Sequence, residues 1–307
     1  GPGAVIDNLR GIPGFLDFFG IATPTLIDGV QQADGAMAAF GPAGKYGVIT
    51  IASSMAWGLG YFGMPQVLLR FMAIRSAEDI KQSRRIGIIW TTLSLTASVL
   101  IGLMGRAMFP MALTTAATSE TIFIEMATLL FPPLLAGIVM SGILAATISS
   151  ADSYLLIAAS AFSKNIYKGV LRKDASDQQI MAMTRMILIV LAIVGIIIAL
   201  DENSVIFTIV SFAWAGFGAT FGPLMLFSLF WKKTTRQGAI AGMLTGGIAV
   251  FIWKLLIKPI GGVFGIYELL PAFILSCVAI VIFSLIGEKP SAAMEEEFEM
   301  VKSQSKV

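Results

Sequence analysis

The chain has 307 residues, of which 56% are hydrophobic and 13% charged, and its formal net charge is +2. A soluble domain carries about 25% charged residues, so this composition belongs to a membrane protein, with the lipid bilayer as its main surroundings. There is no histidine and one cysteine, Cys277, which excludes an internal disulfide, a histidine-ligated metal and a Cys–His nucleophile pair; no nucleic-acid partner is expected.

The chain opens on GPG, without methionine or a recognisable signal peptide, which reads as a fragment or a processed product. Residues 1–45 are mixed and rich in Gly and Pro, and are expected to form an extracellular loop region with short amphipathic pieces. Seven stretches then reach the length of about 20 apolar residues that a membrane span needs. They are 46–74, 85–108, 133–163, 179–200, 204–231, 236–258 and 264–287, so 46–287 is expected to be the transmembrane core. Between them, SETIFIEMATLLF (119–131) predicts a short surface helix with Ser119 as its N-cap. Residues 288–307, with EEEFE, form a polar tail. The fold class expected is all-α, a polytopic helical membrane protein with about seven transmembrane helices.

Sixteen of the 21 Lys and Arg residues fall on one set of loops, around Arg70–Arg85, Lys164–Arg185, Lys232–Arg236 and Lys289–Lys306. The basic side is cytoplasmic, which places the tail inside and residue 1 outside. Gly238, Gly242 and Gly246 repeat every four residues, a ladder that lets helices pack closely in lipid.

WGLGYFGMPQ (57–66) concentrates Gly58, Gly60, Gly63 and Pro65 inside the first expected span. GLGYFG formally matches a dinucleotide-binding fingerprint, but neither the preceding strand nor the soluble βαβ unit that motif requires is present. One reading is a kinked, closely packed helix. The other is a discontinuous helix at a binding site, offering free backbone groups to a solute or ion. Trp57 and Tyr61 flank the glycines at i, i+4 spacing, on one face, where they would clamp a small ring or an aliphatic body.

A second polar face lies in LAATISSADS (144–153). At about 100° per residue, Ala146, Ser149, Ser150, Asp152 and Ser153 fall within one arc of about 160°. Serine hydroxyls alone are ordinary helix–helix glue. An aspartate in mid-membrane is a functional-site candidate, and hydroxyl, carbonyl and carboxylate oxygens suit Na+. The residues by themselves point to a cation-coupled transporter or a channel.

WGLGYFGMPQVLLRFMAIRS (57–76) resembles the signature of the sodium/solute symporter family, and GILAATISSADSYLLIAASA (142–161) is similar to that family's sodium-site helix. SFAWAGFGATFGPLMLFSLFW (211–231), TRQGAIAGM (235–243) and EKPSAAM (288–294) continue the similarity in order, over roughly residues 46 to 294. The proline branch of the family fits best. The resemblance implies a leucine-transporter-type fold of two inverted five-helix repeats plus extra helices. It implies sodium-coupled import of L-proline across a bacterial inner membrane, with no enzymatic chemistry. Thirteen spans are usual in that branch, so seven imply the C-terminal half, without the early helices and with sodium and solute sites that are only half-built.

Carried over by residue, the resemblance puts Trp57, Gly58, Gly60, Tyr61 and Pro65 at the substrate site. It puts the backbone oxygen of Ala146 and the hydroxyls of Ser149 and Ser150 around sodium, with Asp152 as a candidate ligand of a second cation. Met64 departs from the glutamine usual in that branch, which leaves another small amino or carboxylic acid open as solute. A sensory membrane module and an ion channel are the readings from other classes.

Overall fold

The structure, a computed structural model, describes residues 1–35, 37–76, 78–201 and 204–304. In chain order the first helix is α1 (Pro2–Arg10). Six two-residue strands follow: β1 (Gly20–Ile21), β2 (Leu26–Ile27), β3 (Val30–Gln31), β4 (Ala33–Asp34), β5 (Met37–Ala38) and β6 (Gly44–Lys45). They pair antiparallel as β1–β6, β2–β3 and β4–β5. The expected loop region therefore holds a short helix, two minimal hairpins (β2–β3 and β4–β5) and the longer-range pair β1–β6.

The helices after it are α2 (Val48–Gly60), α3 (Pro65–Met72), α4 (Asp79–Met108), α5 (Ala116–Ser119), α6 (Ile122–Leu130) and α7 (Pro133–Ala161). Next come α8 (Asp177–Ala199), α9 (Ile206–Phe230), α10 (Arg236–Ile252), α11 (Leu269–Ile286) and α12 (Ala292–Gln304). A π-helical segment, Phe162–Leu171, extends α7, and a π turn at Trp253–Ile257 extends α10.

Among the described residues, six helices are long and apolar enough to cross a membrane. The first expected span, 46–74, is not one helix: α2 has 13 residues and α3 has 8. Proline explains the break. Pro65 has no N–H to give to the preceding turn and pushes the residue before it into extended backbone; Met64 has φ −82° and ψ 116°. Pro65 then takes the first helical position of α3, where a missing N–H costs nothing. The expectation at 119–131 needs correction too. Ser119 closes the single turn α5, which Thr115 caps by accepting from the Thr118 N–H, and α6 begins after Thr121. The last span starts at Leu269 rather than 264, because the intervening residues are spent on 3-10 turns. Much of the tail is helical, as α12.

The chain divides into two compact units. One holds residues 1–24, 40–97 and 207–307; the other holds 25–39 and 98–206. In the first, α9, α10 and α11 close around Ala215, Ala219, Ala249, Val250, Leu269, Ala272 and Phe273. The glycine ladder is what permits this. A Cβ at Gly238 would collide with Ser284, and one at Gly242 with Ile280, both on α11. The Ser276 hydroxyl uses the closeness to donate to the Gly242 carbonyl at 2.9 Å. Gly246 makes a second close approach, to α9. Pro223 lies inside α9 and cannot donate to the carbonyl of Ala219, four residues back. Gly246 lies against that carbonyl, so close that a Cβ would strike it.

In the second unit, Ile122 and Met126 of α6 press on Gly105 near the end of α4. Ser163 is wholly buried and donates its hydroxyl to the Ala159 carbonyl at 2.8 Å. Most of α4 and all of the apolar stretch of α8 stay uncovered by the described chain, as lipid-compatible helices can.

Overpacking a close helix contact costs about 1–3 kcal/mol. Gly246→Val is expected to lower resistance to unfolding by at least that amount in a detergent-solubilised preparation. Gly216→Ala, on α9 with no atom within 4 Å of a built Cβ, is expected to gain up to about 1 kcal/mol through helix propensity. Denaturant titration of both variants checks the pair.

Candidate functional site at the broken helix

The break between α2 and α3 is lined by aromatic rings from three elements of one unit. Trp57 stacks on Trp214 of α9, with ring centroids 5.2 Å apart and an interplanar angle of 11°. It also stacks on Phe207 at 5.6 Å and on Tyr267 at 6.1 Å. Tyr61 meets Trp214 edge-on at 4.8 Å and is about half exposed, at 49%. Trp57 and Tyr61 therefore share a face, as their spacing predicts, and Trp214 is the ring common to both.

The same indole does a second job. Its Nε1–H donates to the Trp57 carbonyl at 3.0 Å. In an α-helix that carbonyl accepts from the N–H four residues on, at the position where α2 ends. An orphaned carbonyl at membrane depth costs free energy comparable to a lost hydrogen bond, and Trp214 removes that cost. Beyond it, the chain turns through Gly63 N–H to the Gly60 carbonyl at 3.0 Å.

The glycines of this stretch divide by role. A Cβ on Gly60 would run into the Trp214 indole, and one on Gly63 into the backbone of α9 at Phe217 and Gly222. Both are close-approach glycines. Gly58 has nothing within 4 Å and is exposed. Pro65 is half-buried, and Met64, at 9% exposure, is buried at the start of α3. Close packing therefore accounts for Gly60 and Gly63, while the interruption of the helix lies between Tyr61 and Met64.

Tyr267 is tied from every side. Its N–H donates to Ser53 Oγ at 3.0 Å, and its hydroxyl donates to the Ser211 carbonyl at 2.6 Å. Burial, with the Glu268 carboxylate next to it, pushes the phenol up from its usual range, so it remains a neutral donor at physiological pH. Phe207, Trp214, Tyr267 and Ser53 were outside the sequence-based candidates. Phe207 and Trp214 are seven residues apart on α9, two turns of one face, and that spacing is the one local signal that joins them.

Ala146, Ser149, Ser150 and Asp152 all lie on α7, in the other unit, and all are exposed. The helix is regular through 133–161, so the arc drawn from the sequence holds. Ser153 donates to the Ser149 carbonyl at 3.0 Å. Among the described residues, the hydroxyls of Ser149 and Ser150 and the Asp152 carboxylate make no hydrogen bond or ion pair. No group of three or more Asp, Glu, His or Cys that would hold a metal ion occurs among the described residues. Oxygen donors on α7 would thus have to come mainly from hydroxyls and backbone. Two surface grooves lie beside α12, around Thr235, Arg236 and Met294, and share no residue with either constellation.

The fold and this region define a polytopic helical membrane protein with a broken, aromatic-lined helix. The chain belongs to the sodium:solute symporter family, whose sequence model matches residues 22–246. It is 43% identical over 254 residues to the sodium/proline symporter of Escherichia coli K12, covering 81% of this chain and 50% of that protein. It is 41% identical over 251 residues to the high-affinity proline transporter of Bacillus subtilis 168, covering 82% and 52%. The sodium/proline symporter of Staphylococcus aureus is 40% identical over 260 residues, covering 83% and 51%. The chain spans about half the length of the curated relatives it matches.

Trp214→Phe keeps the stacked ring and removes the N–H, leaving the Trp57 carbonyl unsatisfied. A loss of about 1–3 kcal/mol of stability is expected. Gly60→Ala is expected to cost a similar amount through collision with the indole, while Gly58→Ala is close to neutral or mildly stabilising. Equal effects of the two glycine changes, measured by unfolding in detergent, would contradict the division of roles.

Proposed function

We propose that this chain forms part of a sodium-coupled secondary transporter that imports L-proline. The observation that carries the reading is the interrupted helix α2–α3, with Trp57 and Tyr61 presented beside Trp214 at the gap. The names of the relatives at 40–43% identity support the same solute and ion. Trp57, Gly58, Gly60, Tyr61 and Pro65 form the substrate side of the proposal. A ring solute would insert at the Tyr61 edge, or take over a stacking surface that Trp57 now shares with its own neighbours.

Sodium is cargo in this reading. The Ala146 carbonyl and the Ser149 and Ser150 hydroxyls would bind it, with Asp152 serving a second cation. The unengaged hydroxyls and carboxylate of this face, which carry oxygen in an otherwise apolar helix, support a role other than packing. The inverted-repeat fold, an extracellular residue 1–45 region, a 46–287 membrane core and a cytoplasmic 288–307 tail in a bacterial inner membrane complete the proposal. The distribution of Lys and Arg supports that orientation. No covalent chemistry is required. Coupling is a linkage, in which sodium raises solute affinity by the factor that solute raises sodium affinity.

The test is uptake of labelled proline by proteoliposomes containing the gene product that carries this chain. Trp57→Ala or Tyr61→Ala is expected to weaken proline binding by about 1–2 kcal/mol through the lost aromatic contact. Ser150→Ala is expected to raise the sodium concentration for half-maximal uptake without altering solute selectivity. Asp152→Asn is expected to lower the sodium-to-proline ratio. Proline affinity unchanged in both aromatic variants, at normal membrane levels, would reduce the rings to packing. An unchanged sodium dependence in Ser150→Ala would remove the sodium assignment.

A further inference from the structure

Glu268 is wholly buried, directly before α11, and it is the acid at the centre of an ion triad. Lys258 Nζ lies 2.7 Å from its Oε2, and Lys254 Nζ lies 3.4 Å from its Oε1. Oε1 has no hydrogen-bond partner among the described residues, so its interaction with Lys254 is electrostatic. A carboxylate is seldom fully buried unless paired, and here two ammonium groups face it from the end of α10. The backbone is shaped for the meeting. The π turn and the following 3-10 turn carry the two lysines, and Gly261 and Gly262, with φ of 80° and 60°, turn the chain back. Those positive angles favour glycine.

The triad is continuous with the aromatic site. Tyr267 is the residue before Glu268, and Lys258 Nζ sits 6.0 Å from the centre of its ring. Lys254 Nζ sits 6.0 Å from the Phe212 ring on α9. Tyr267 in turn stacks on Trp57, donates its hydroxyl to Ser211 of α9 and its N–H to Ser53 of α2. One charged cluster therefore sits at the α10–α11 junction, beside the ring that stacks on Trp57. Stability alone is a poor reason for such a cluster, since well-packed apolar residues often do as well. What apolar residues cannot do is fix one side chain in one direction by charge.

We infer that Glu268 is a positioning residue for solute recognition: with Lys254 and Lys258 it holds Tyr267 against Trp57, and so sets the aromatic surface offered to the solute. The inference rests on the reading of Trp57 as a solute contact. It assigns a role to three charged residues at the outer end of the helices and to a tyrosine that the solute itself need not touch.

The experiment is a double-mutant cycle in the gene product that carries this chain, reconstituted in proteoliposomes, with Glu268→Gln, Tyr267→Ala and the pair. Each single change is expected to raise KM for proline about tenfold while altering the maximal rate by less than about twofold. The pair should be no worse than Tyr267→Ala alone, because residues in one network are non-additive. Glu268→Asp, which keeps the charge, should recover part of the KM. The second readout is near-ultraviolet circular dichroism of the same proteins. Glu268→Gln should weaken the signal of the stacked rings as Tyr267→Ala does.

Effects on KM that multiply in the pair, or a dichroism spectrum unaltered by Glu268→Gln, would overturn the inference. If Trp57→Ala and Tyr61→Ala leave KM unchanged, it is the solute site that fails, and the dichroism alone decides whether Glu268 holds Tyr267. Should Glu268→Gln fail to reach the membrane, Lys258→Met removes the contact shared by Glu268 and the Tyr267 ring, and the same two outcomes apply.

Discussion

In hydrocarbon every backbone N–H and C=O must find a partner inside the protein, and a helix that stops midway leaves several without one. The hydrogen bond from the Trp214 indole to the Trp57 carbonyl meets that constraint at the end of α2. The rest of the site follows from it. The indole must lie across the end of α2, so residue 60 can have no side chain. Trp57 and Tyr61, one turn apart, then meet the same indole, one face-on and one edge-on. Because α9 is held by α10 and α11 through the glycine ladder, the indole is delivered by a rigid base.

This arrangement reconciles two uses of glycine that compete in a sequence. Gly60 and Gly63 are there for close approach to α9, while Gly58 is open. Both uses produce the same local composition, so WGLGYFG alone could not separate them. The break itself was legible, because proline dictates it at Pro65 whatever surrounds it. The ladder at Gly238, Gly242 and Gly246 was legible for a similar reason: small residues four apart in an apolar helix form one flat stripe, and a neighbouring helix packs onto it.

What was not legible depends on residues distant in the chain. Trp214 lies 157 positions after Trp57, and no local rule joins them. Glu268 fell inside the expected span 264–287 and was not singled out; its partners Lys254 and Lys258 reach it across the turn at Gly261 and Gly262, which no helical spacing foretells. The misplaced N-cap at 119 has a smaller cause. Ser119 and Thr115 are equivalent as capping residues, and Thr118 at the third position gives Thr115 the reciprocal partner. On α7 the periodicity gave the oxygen-bearing arc directly, because the helix is regular from Pro133 to Ala161. Which of those oxygens bind a cation is a property of partners that a single helix face does not contain.

The central claim is that the rings at the α2–α3 break form the surface a proline ring meets. Fluorescence tests it most directly in the gene product that carries this chain, with Trp90, Trp231 and Trp253 replaced by Phe so that Trp57 and Trp214 report from this segment. Titration with L-proline in sodium should change their emission saturably, at the concentrations that half-saturate binding of labelled proline, and should not do so in choline. Saturable proline binding in sodium with the emission of these two indoles unaltered would contradict the account.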